Sequence, residues 1–249
     1  MTDLLASWAL GEHTADDLDG ESLTFPTYRK GSGPGVIVIH EVPGMTPQFI
    51  GFAEEVVAAG FTVVLPHLFG TPGKRIGPLY VSKVISRLCV SREFVALATR
   101  QTSPVSGWLR SLARDLHADT GGPGVGAIGM CFTGGFALGM MVDDAIAAPV
   151  LCQPSVPFAM SPKQSRDLGL SPADLDVVKK RAAGGCEVLG LQYAKDPMTG
   201  SRFNTLDREL GDAFLRVDFP GAKHSTVTLH RQQEGVDRVL GFLREKLAG

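Results

Sequence analysis

Residues 125–139, VGAIGMCFTGGFALG, constrain this chain more than any other stretch. The run opens on Val125, Ala127 and Ile128, apolar enough for a buried strand. It breaks at Gly129 and resumes with small and apolar residues that suit a closely packed helix. One cysteine, Cys131, sits at the break, with Gly129 two residues before it and Gly134 and Gly135 three and four after. A strand-to-helix turn of this layout lifts one side chain above a sheet, and neighbours without a Cβ let strand and helix approach. N–H groups at the start of the following helix favour thiolate over thiol. A buried structural cysteine in a glycine-rich turn is the other reading of these residues. The rest of the chain has to decide between the two.

The chain has 249 residues, 44% of them hydrophobic, and no linker-like segment. This fits one large α/β domain spanning 1–249. A net charge of −2 gives no electrostatic case for nucleic acid or an acidic membrane surface. The four cysteines, Cys89, Cys131, Cys152 and Cys186, are widely spaced and form no CxxC pair. That argues against a zinc site and a disulfide framework, and it suits a reducing compartment. The first residues, MTDLLASWALGEHTADD, lack a basic region before their apolar residues, so no secretory leader is expected. No run approaches the roughly 18 apolar residues of a membrane span. Cytoplasmic residence is the expectation.

Taken in order, residues 1–20 read as a helical or loose lead-in. Residues 22–30 (SLTFPTYRK) alternate and carry Pro26, which fits an edge strand. Residues 36–39 (VIVI) and 61–65 (FTVVL) are buried strands, separated by a helix over 47–59 that Gly60 closes. Residues 71–78 are loop, 81–100 read as one helix, and 104–117 as a clearer amphipathic one. Past the cysteine turn come a strand over 147–152, a loop over 153–169, and a helix from the Ser171 cap to residue 183. Residues 186–193 and 213–219 complete the strands, with helices over 201–210 and 229–247. Strands and helices alternating on this spacing predict a mostly parallel sheet covered on both faces. Ligands bind such sheets at the edge where the parallel strands end.

Three residues fall at strand ends in the order Cys131, Asp196, His224. That is the chain order of nucleophile, acid and histidine in the α/β-hydrolase fold. The chemistry uses each type. A thiolate attacks an acyl carbon, an imidazole moves protons, and a carboxylate fixes the imidazole tautomer. Asp207 and Asp218 compete for the acid role, but the first falls within a predicted helix and the second within a predicted strand.

HEVPG (40–44), GMCFTGG (129–135), the Asp196 strand end and GAKHS (221–225) together resemble the dienelactone hydrolase family, cysteine-nucleophile members of the α/β-hydrolase fold. The resemblance runs from about residue 22 to the last helix. It implies a hydrolase of small esters or lactones that works through a thioester on Cys131, with His224 and Asp196 completing the triad and no metal or organic cofactor. It implies that Glu41 contacts the resting thiol until substrate displaces it. It also implies an oxyanion hole from the N–H groups of Val42 and Phe132, each worth about 3–4 kcal/mol in the transition state. The sequence departs from the family pattern at Thr133, where a glycine is usual. It departs again at Thr228, where an arginine gripping a substrate carboxylate is usual. Arg87 and Arg92 are candidates for a second such arginine, and His40 and His67 border the expected site. The expected partner is a small ester or lactone, without nucleic acid or membrane, in a monomer or small homo-oligomer. The alternative is a non-catalytic small-molecule binder or thiol-based redox sensor using Cys131, with Cys152 as a possible disulfide partner.

Overall fold

A chain with many short β-branched runs must pair them centrally and cover both faces. The computed structural model, which describes residues 4–248, shows how. Strands β1 (Ala9–Asp16) and β2 (Ser22–Lys30) pair antiparallel, and β2 pairs antiparallel with β4 (Thr62–Pro66). From β4 onward the sheet is parallel: β3 (Gly35–Ile39), β5 (Val125–Met130), β6 (Ile146–Cys152), β7 (Val188–Tyr193) and β8 (Phe214–Phe219). The strand order is β1-β2-β4-β3-β5-β6-β7-β8. The chain leaves β3 for β4 on one side and later returns to lay β5 on the other. The boundary between β3 and β5 is therefore a topological switch point, where the connecting segments diverge and leave a crevice.

Alternation along the strands divides the core into two layers. Val36 and Val38 of β3 face one side, with α1 (Pro47–Ala58) and α8 (Gln233–Leu247) over them. Ile37 and Ile39 face the other, covered by α2 (Pro78–Val90), α3 (Val105–Thr120), α4 (Gly134–Met140), α6 (Pro172–Ala183) and α7 (Arg202–Leu210). A single turn, α5 (Pro162–Ser165), interrupts the loop after β6. Helix starts follow local chemistry. Thr46 Oγ1 accepts the Phe49 N–H at 3.3 Å, and Ser171 Oγ accepts the Asp174 N–H at 3.1 Å, each with proline in the first turn.

Two expectations need correction. The lead-in is not helical over 9–16 but is the edge strand β1, paired with β2 from Ala9↔Arg29 to Asp16↔Ser22. Its residues are largely exposed, so the backbone ladder decides its conformation, not an apolar alternation. The strand carrying Pro26 is consequently second from the edge. The helix expected over 81–100 runs instead over Pro78–Val90 and stops there, with Ser91 extended and Val95 and Arg100 at positive φ. Phe94 and Ala96 bury as loop residues, and the Phe94 ring stacks on Phe136 at 6.1 Å. The apolar content of that segment serves the core without helical periodicity.

Trp108 of α3 joins the antiparallel edge to the parallel core. It is fully buried, its Nε1–H donates to His13 O at 3.1 Å, and the Phe25 ring meets it edge-on at 5.2 Å. Replacing a buried aromatic of this size by alanine removes its contacts and leaves a cavity. Trp108→Ala is expected to destabilise the fold by about 3–5 kcal/mol in urea denaturation, and Trp108→Phe by clearly less.

Candidate active site

Register brings the strand ends together. Ile39 pairs with Gly129, Met130 with Cys152, Cys152 with Leu191, and Tyr193 with Phe219. The residues that follow these strands therefore meet along one edge. After β5 the chain turns through a short 3₁₀ segment, Cys131–Thr133, directly into α4. Cys131 has φ +53, in the left-handed region that a residue with a side chain seldom occupies. The surroundings hold it there. A Cβ on Gly129 would lie 2.2 Å from Thr133 O, and one on Gly134 would lie 2.6 Å from Pro154 Cα. Thr133, the departure from the family pattern, is accommodated as a clasp. Its hydroxyl lies 3.1 Å from Ile39 O, 3.3 Å from His40 O and 3.1 Å from Met130 O, and accepts the Met130 N–H at 3.1 Å.

Cys131 is 7% exposed, and its Sγ lies 3.4 Å from Ser155 Oγ. Asp196 follows β7 and His224 follows β8. His224 Nδ1–H donates to Asp196 Oδ2 at 2.6 Å. That bond puts the ring proton on Nδ1 and leaves Nε2, which is buried and makes no hydrogen bond of standard geometry. Burial would lower the imidazole pKa, but the neighbouring Cys131 side chain and the Asp196 carboxylate outweigh it and lift the ring to about 10. Burial likewise pushes the Asp196 carboxyl up. Hydrogen bonds from His224, the Met198 N–H at 2.9 Å and the Thr199 hydroxyl at 2.8 Å reverse this and hold it below the usual carboxylate range. The rival acids are engaged elsewhere: Asp207 and Asp218 both bind Arg216 near the surface.

Glu41, after β3, is buried and hydrogen-bonded to two hydroxyls. Its Oε2 accepts from Ser225 Oγ at 2.8 Å and its Oε1 accepts from the Thr228 hydroxyl. Burial pushes its carboxyl up, against the two hydroxyls. The hydrogen bonds of Glu41 are to these two hydroxyls, both from the turn after His224. The other sequence candidates fall outside the reach of Cys131 or are otherwise occupied. His40 is fully buried and held neutral by that burial, with its pKa near 3. Its Nε2 accepts the Leu68 N–H at 3.2 Å and its Nδ1 donates to Glu41 O at 3.3 Å, so it shapes the loops and has no free nitrogen for substrate. His67 is half-buried beside Gly70 O. Arg92 pairs with Glu21 at 3.6 Å, both well exposed. Arg87 lines a cavity of about 260 Å³ with Lys74, Tyr80 and Lys83, and Cys131 and His224 are not part of that lining.

Several residues of this edge were not singled out from the sequence. Gln153 has φ +35 and is fully buried, and its Oε1 accepts from both N–H (3.0 Å) and hydroxyl (2.7 Å) of Thr226. It ties the end of β6 to the histidine loop. His230 Nδ1 donates to His224 O at 2.5 Å. Arg202, 1% exposed, donates to the carbonyls of Pro157, Gln164, Met198 and Thr199, joining the loop after β6 to the loop that bears Asp196. The available signal was position: Gln153 and Ser155 directly follow the strand beside the cysteine strand. Among the described residues, no group of three or more His, Cys, Asp or Glu side chains is placed to hold a metal ion.

The turn geometry gives a direct test. Gly129→Ala drives a Cβ into a backbone carbonyl, and it is expected to cost about 1–3 kcal/mol and to depress ester turnover with it. At Gly135 the nearest atom to an added Cβ is 3.4 Å away, so Gly135→Ala is expected to leave both the denaturation midpoint and turnover near those of the parent.

Solved structures share this architecture. One described as a dienelactone hydrolase from Klebsiella pneumoniae subsp. pneumoniae MGH 78578 superposes with a TM-score of 0.60 at 18% identity, covering 96% of this chain and 99% of the other. The dienelactone hydrolase-like promiscuous phosphotriesterase P91 from metagenomic libraries gives 0.62 at 17% identity, covering 96% and 100%. The α/β hydrolase GrgF from Penicillium sp. sh18 gives 0.64 at 12% identity, covering 97% and 100%. At these identities the likeness is one of fold. No curated protein matches the chain. Among the described residues no helix is long and apolar enough to cross a membrane. The sequence itself matches the dienelactone hydrolase family over residues 23–168, more than half its length. The chain therefore belongs to the dienelactone hydrolase family, ester-cleaving enzymes of the α/β-hydrolase fold.

Proposed function

We propose that this hydrolase cleaves small, uncharged esters or lactones through a thioester on Cys131, with His224 as proton carrier and Asp196 as its orienting acid. The observation that carries the reading is the 2.6 Å His224–Asp196 bond, which fixes the ring through Nδ1 and leaves Nε2 as the nitrogen available to pass a proton, with Cys131, held at φ +53, among its neighbours. In the first half-reaction His224 Nε2 holds the proton of the Cys131 thiol, and the sulfur bonds to the carbonyl carbon as the C=O π pair moves to oxygen. The tetrahedral intermediate puts its negative charge on oxygen, and the N–H groups of Val42 and Phe132 receive it. Phe132 is the second residue of a 3₁₀ turn, so its N–H has no partner within that turn. The C–O bond then breaks, and the alcohol leaves with a proton from His224. In the second half-reaction water attacks the thioester, neutral His224 takes its proton, and the C–S bond breaks to release the acid and restore the sulfur.

The cysteine turn is packed among aromatic rings, and the absence of the family's carboxylate clamp supports an uncharged substrate. Phe132 is ringed by Phe69 (5.6 Å), Phe94 (5.6 Å), Phe136 (5.9 Å) and Phe158 (6.1 Å). Thr228 stands where the family has a carboxylate-gripping arginine, and Arg92 is paired away. A sensor needs a reactive thiol but no proton carrier, so the oriented histidine favours hydrolysis. Residues 1–249 are proposed to act as one domain.

Activated aryl esters and small lactones, with neutral and carboxylate-bearing members matched in size, test the proposal. Neutral members are expected to show kcat/KM at least about tenfold higher, a difference of ~1.4 kcal/mol. Cys131→Ala and His224→Ala are each expected to lose about 10³-fold or more in kcat. Intact-mass analysis during turnover should find one acyl group on Cys131. Undiminished turnover by Cys131→Ala overturns the mechanism.

A further inference from the structure

Backbone strain gathers at the edge that carries the proposed triad. Among the described residues, five that are not glycine take a positive φ, and three of them lie here: Cys131 directly after β5, Gln153 directly after β6, and Ser225 directly after His224. Gln153 has no part in the chemistry proposed above, yet it breaks three local rules at once. It is held at φ +35, its side chain is fully buried, and its amide Nε2 has no partner among the described residues. A left-handed backbone and a buried donor without an acceptor both cost stability. Residues that depart from local rules in this way are the ones a functional site accounts for.

The other end of the amide shows the task. Gln153 Oε1 accepts from the Thr226 N–H at 3.0 Å and from the Thr226 hydroxyl at 2.7 Å. Thr226 presents two donors, so the amide turns its oxygen to them and its nitrogen stays unpaired. The Gln153 N–H donates to Leu191 O at 2.7 Å, on the strand that leads to Asp196, and the Ser155 N–H donates to Cys131 O at 3.0 Å. Residues 153–155 thus bond to the cysteine turn, to the strand before the acid, and to the chain two residues past the histidine. His224 itself lies in an irregular segment, 220–232, between β8 and α8. The N–H groups of Thr228, His230 and Gln232 bond within that segment, whereas that of Thr226 bonds to Gln153 outside it. Asp196 holds the His224 ring. A bond to the ring sets its orientation but leaves the main chain beneath it free to shift, and a bond to a main-chain N–H does not.

We propose that Gln153 is a positioning residue for the proton transfers of His224: by taking both donors of Thr226 it fixes the main chain beside the imidazole, while Asp196 fixes the ring. This rests on the triad reading above. A neutral amide suits the task, because a further carboxylate here would compete with Asp196 for the imidazolium. The consequence is selective. When the C–O bond of an alkyl ester breaks, the departing oxygen takes the proton that His224 carries. A nitrophenoxide departs as the anion and takes none. A displaced histidine therefore penalises the alkyl ester more.

The test compares a nitrophenyl ester and an ethyl ester of one acyl group on the full chain. It is read as kcat/KM, which reports the acyl-forming half-reaction. Gln153→Met, which fills the same space without an acceptor, is expected to lose about 10²-fold on the ethyl ester and less than about tenfold on the nitrophenyl ester. Equal losses on the two esters, the mark of a purely structural role, overturn the proposal. Thr226→Val, which keeps the N–H and drops the hydroxyl, is expected to show the same bias to a smaller degree, and this variant carries the test if Gln153→Met does not fold. Thr226→Ser keeps both donors and is expected to restore the parent's ratio between the esters. Hydrogen exchange at the Thr226 amide needs no turnover, and in Gln153→Met it is expected to be at least about tenfold faster. An unchanged exchange rate overturns the linkage. His224→Ala separates the two levels of argument. If it loses turnover while Gln153→Met keeps the parent's ratio, this inference falls and the triad stands. If His224→Ala hydrolyses both esters as the parent does, the triad falls and this inference with it.

Discussion

Everything at the site depends on holding one side chain where backbone sterics oppose it. Cys131 sits at positive φ because the chain must leave the end of β5 and enter α4 with almost no loop between them. That path is open only if strand and helix nearly touch, hence the missing Cβ atoms at Gly129 and Gly134. The Thr133 hydroxyl then fastens the turn to the carbonyls at the end of β3, the neighbouring strand at the switch point. The strain is local, and it is sustained by the packing of the central sheet on both faces. The turn sets the direction in which the Cα–Cβ bond of Cys131 leaves the backbone at the sheet edge.

The rest of the edge is assembled from loops, and loops need restraints that strands do not. Here the restraints are buried polar groups reaching across between connections. Arg202 gathers four carbonyls from the loop after β6 and the loop bearing Asp196. Burial lowers its pKa to about 10, against the attraction of Asp167 and Asp196, so the guanidinium stays charged and keeps all of these partners at neutral pH. Gln153 does the same between the end of β6 and Thr226. Such groups are costly to bury unless bonded, so each ties its loops to one arrangement and disfavours the alternatives.

Charge is distributed with the same economy. Two carboxylates enter the buried edge, and each is met by donors: Asp196 by the imidazole, a backbone N–H and a hydroxyl, Glu41 by two hydroxyls. The aromatic rings around Phe132 keep the region next to Cys131 apolar, which strengthens each of these electrostatic contacts.

Local chemistry in the sequence determined the parallel core, the cysteine turn and the order of its partners. Apolar runs such as 36–39 and the glycines about Cys131 act over a few residues, so their conformation is readable without the rest of the chain. The same local reading put Asp196 and His224 at strand ends and set aside Asp207 and Asp218, which the structure occupies with Arg216. It failed where conformation depends on distant partners. β1 exists because β2 offers a hydrogen-bonding edge, and its exposed residues carry no periodic signal. Phe94 and Ala96 bury in an irregular segment because distant residues pack on it, with Phe69, Phe132 and Phe136 around the Phe94 ring. Tertiary structure alone decided the contacts of Glu41. Carboxylate, thiol and hydroxyls lie up to 187 residues apart in the chain, and which of them meet is set by strand register and loop path, quantities that no spacing of residues encodes.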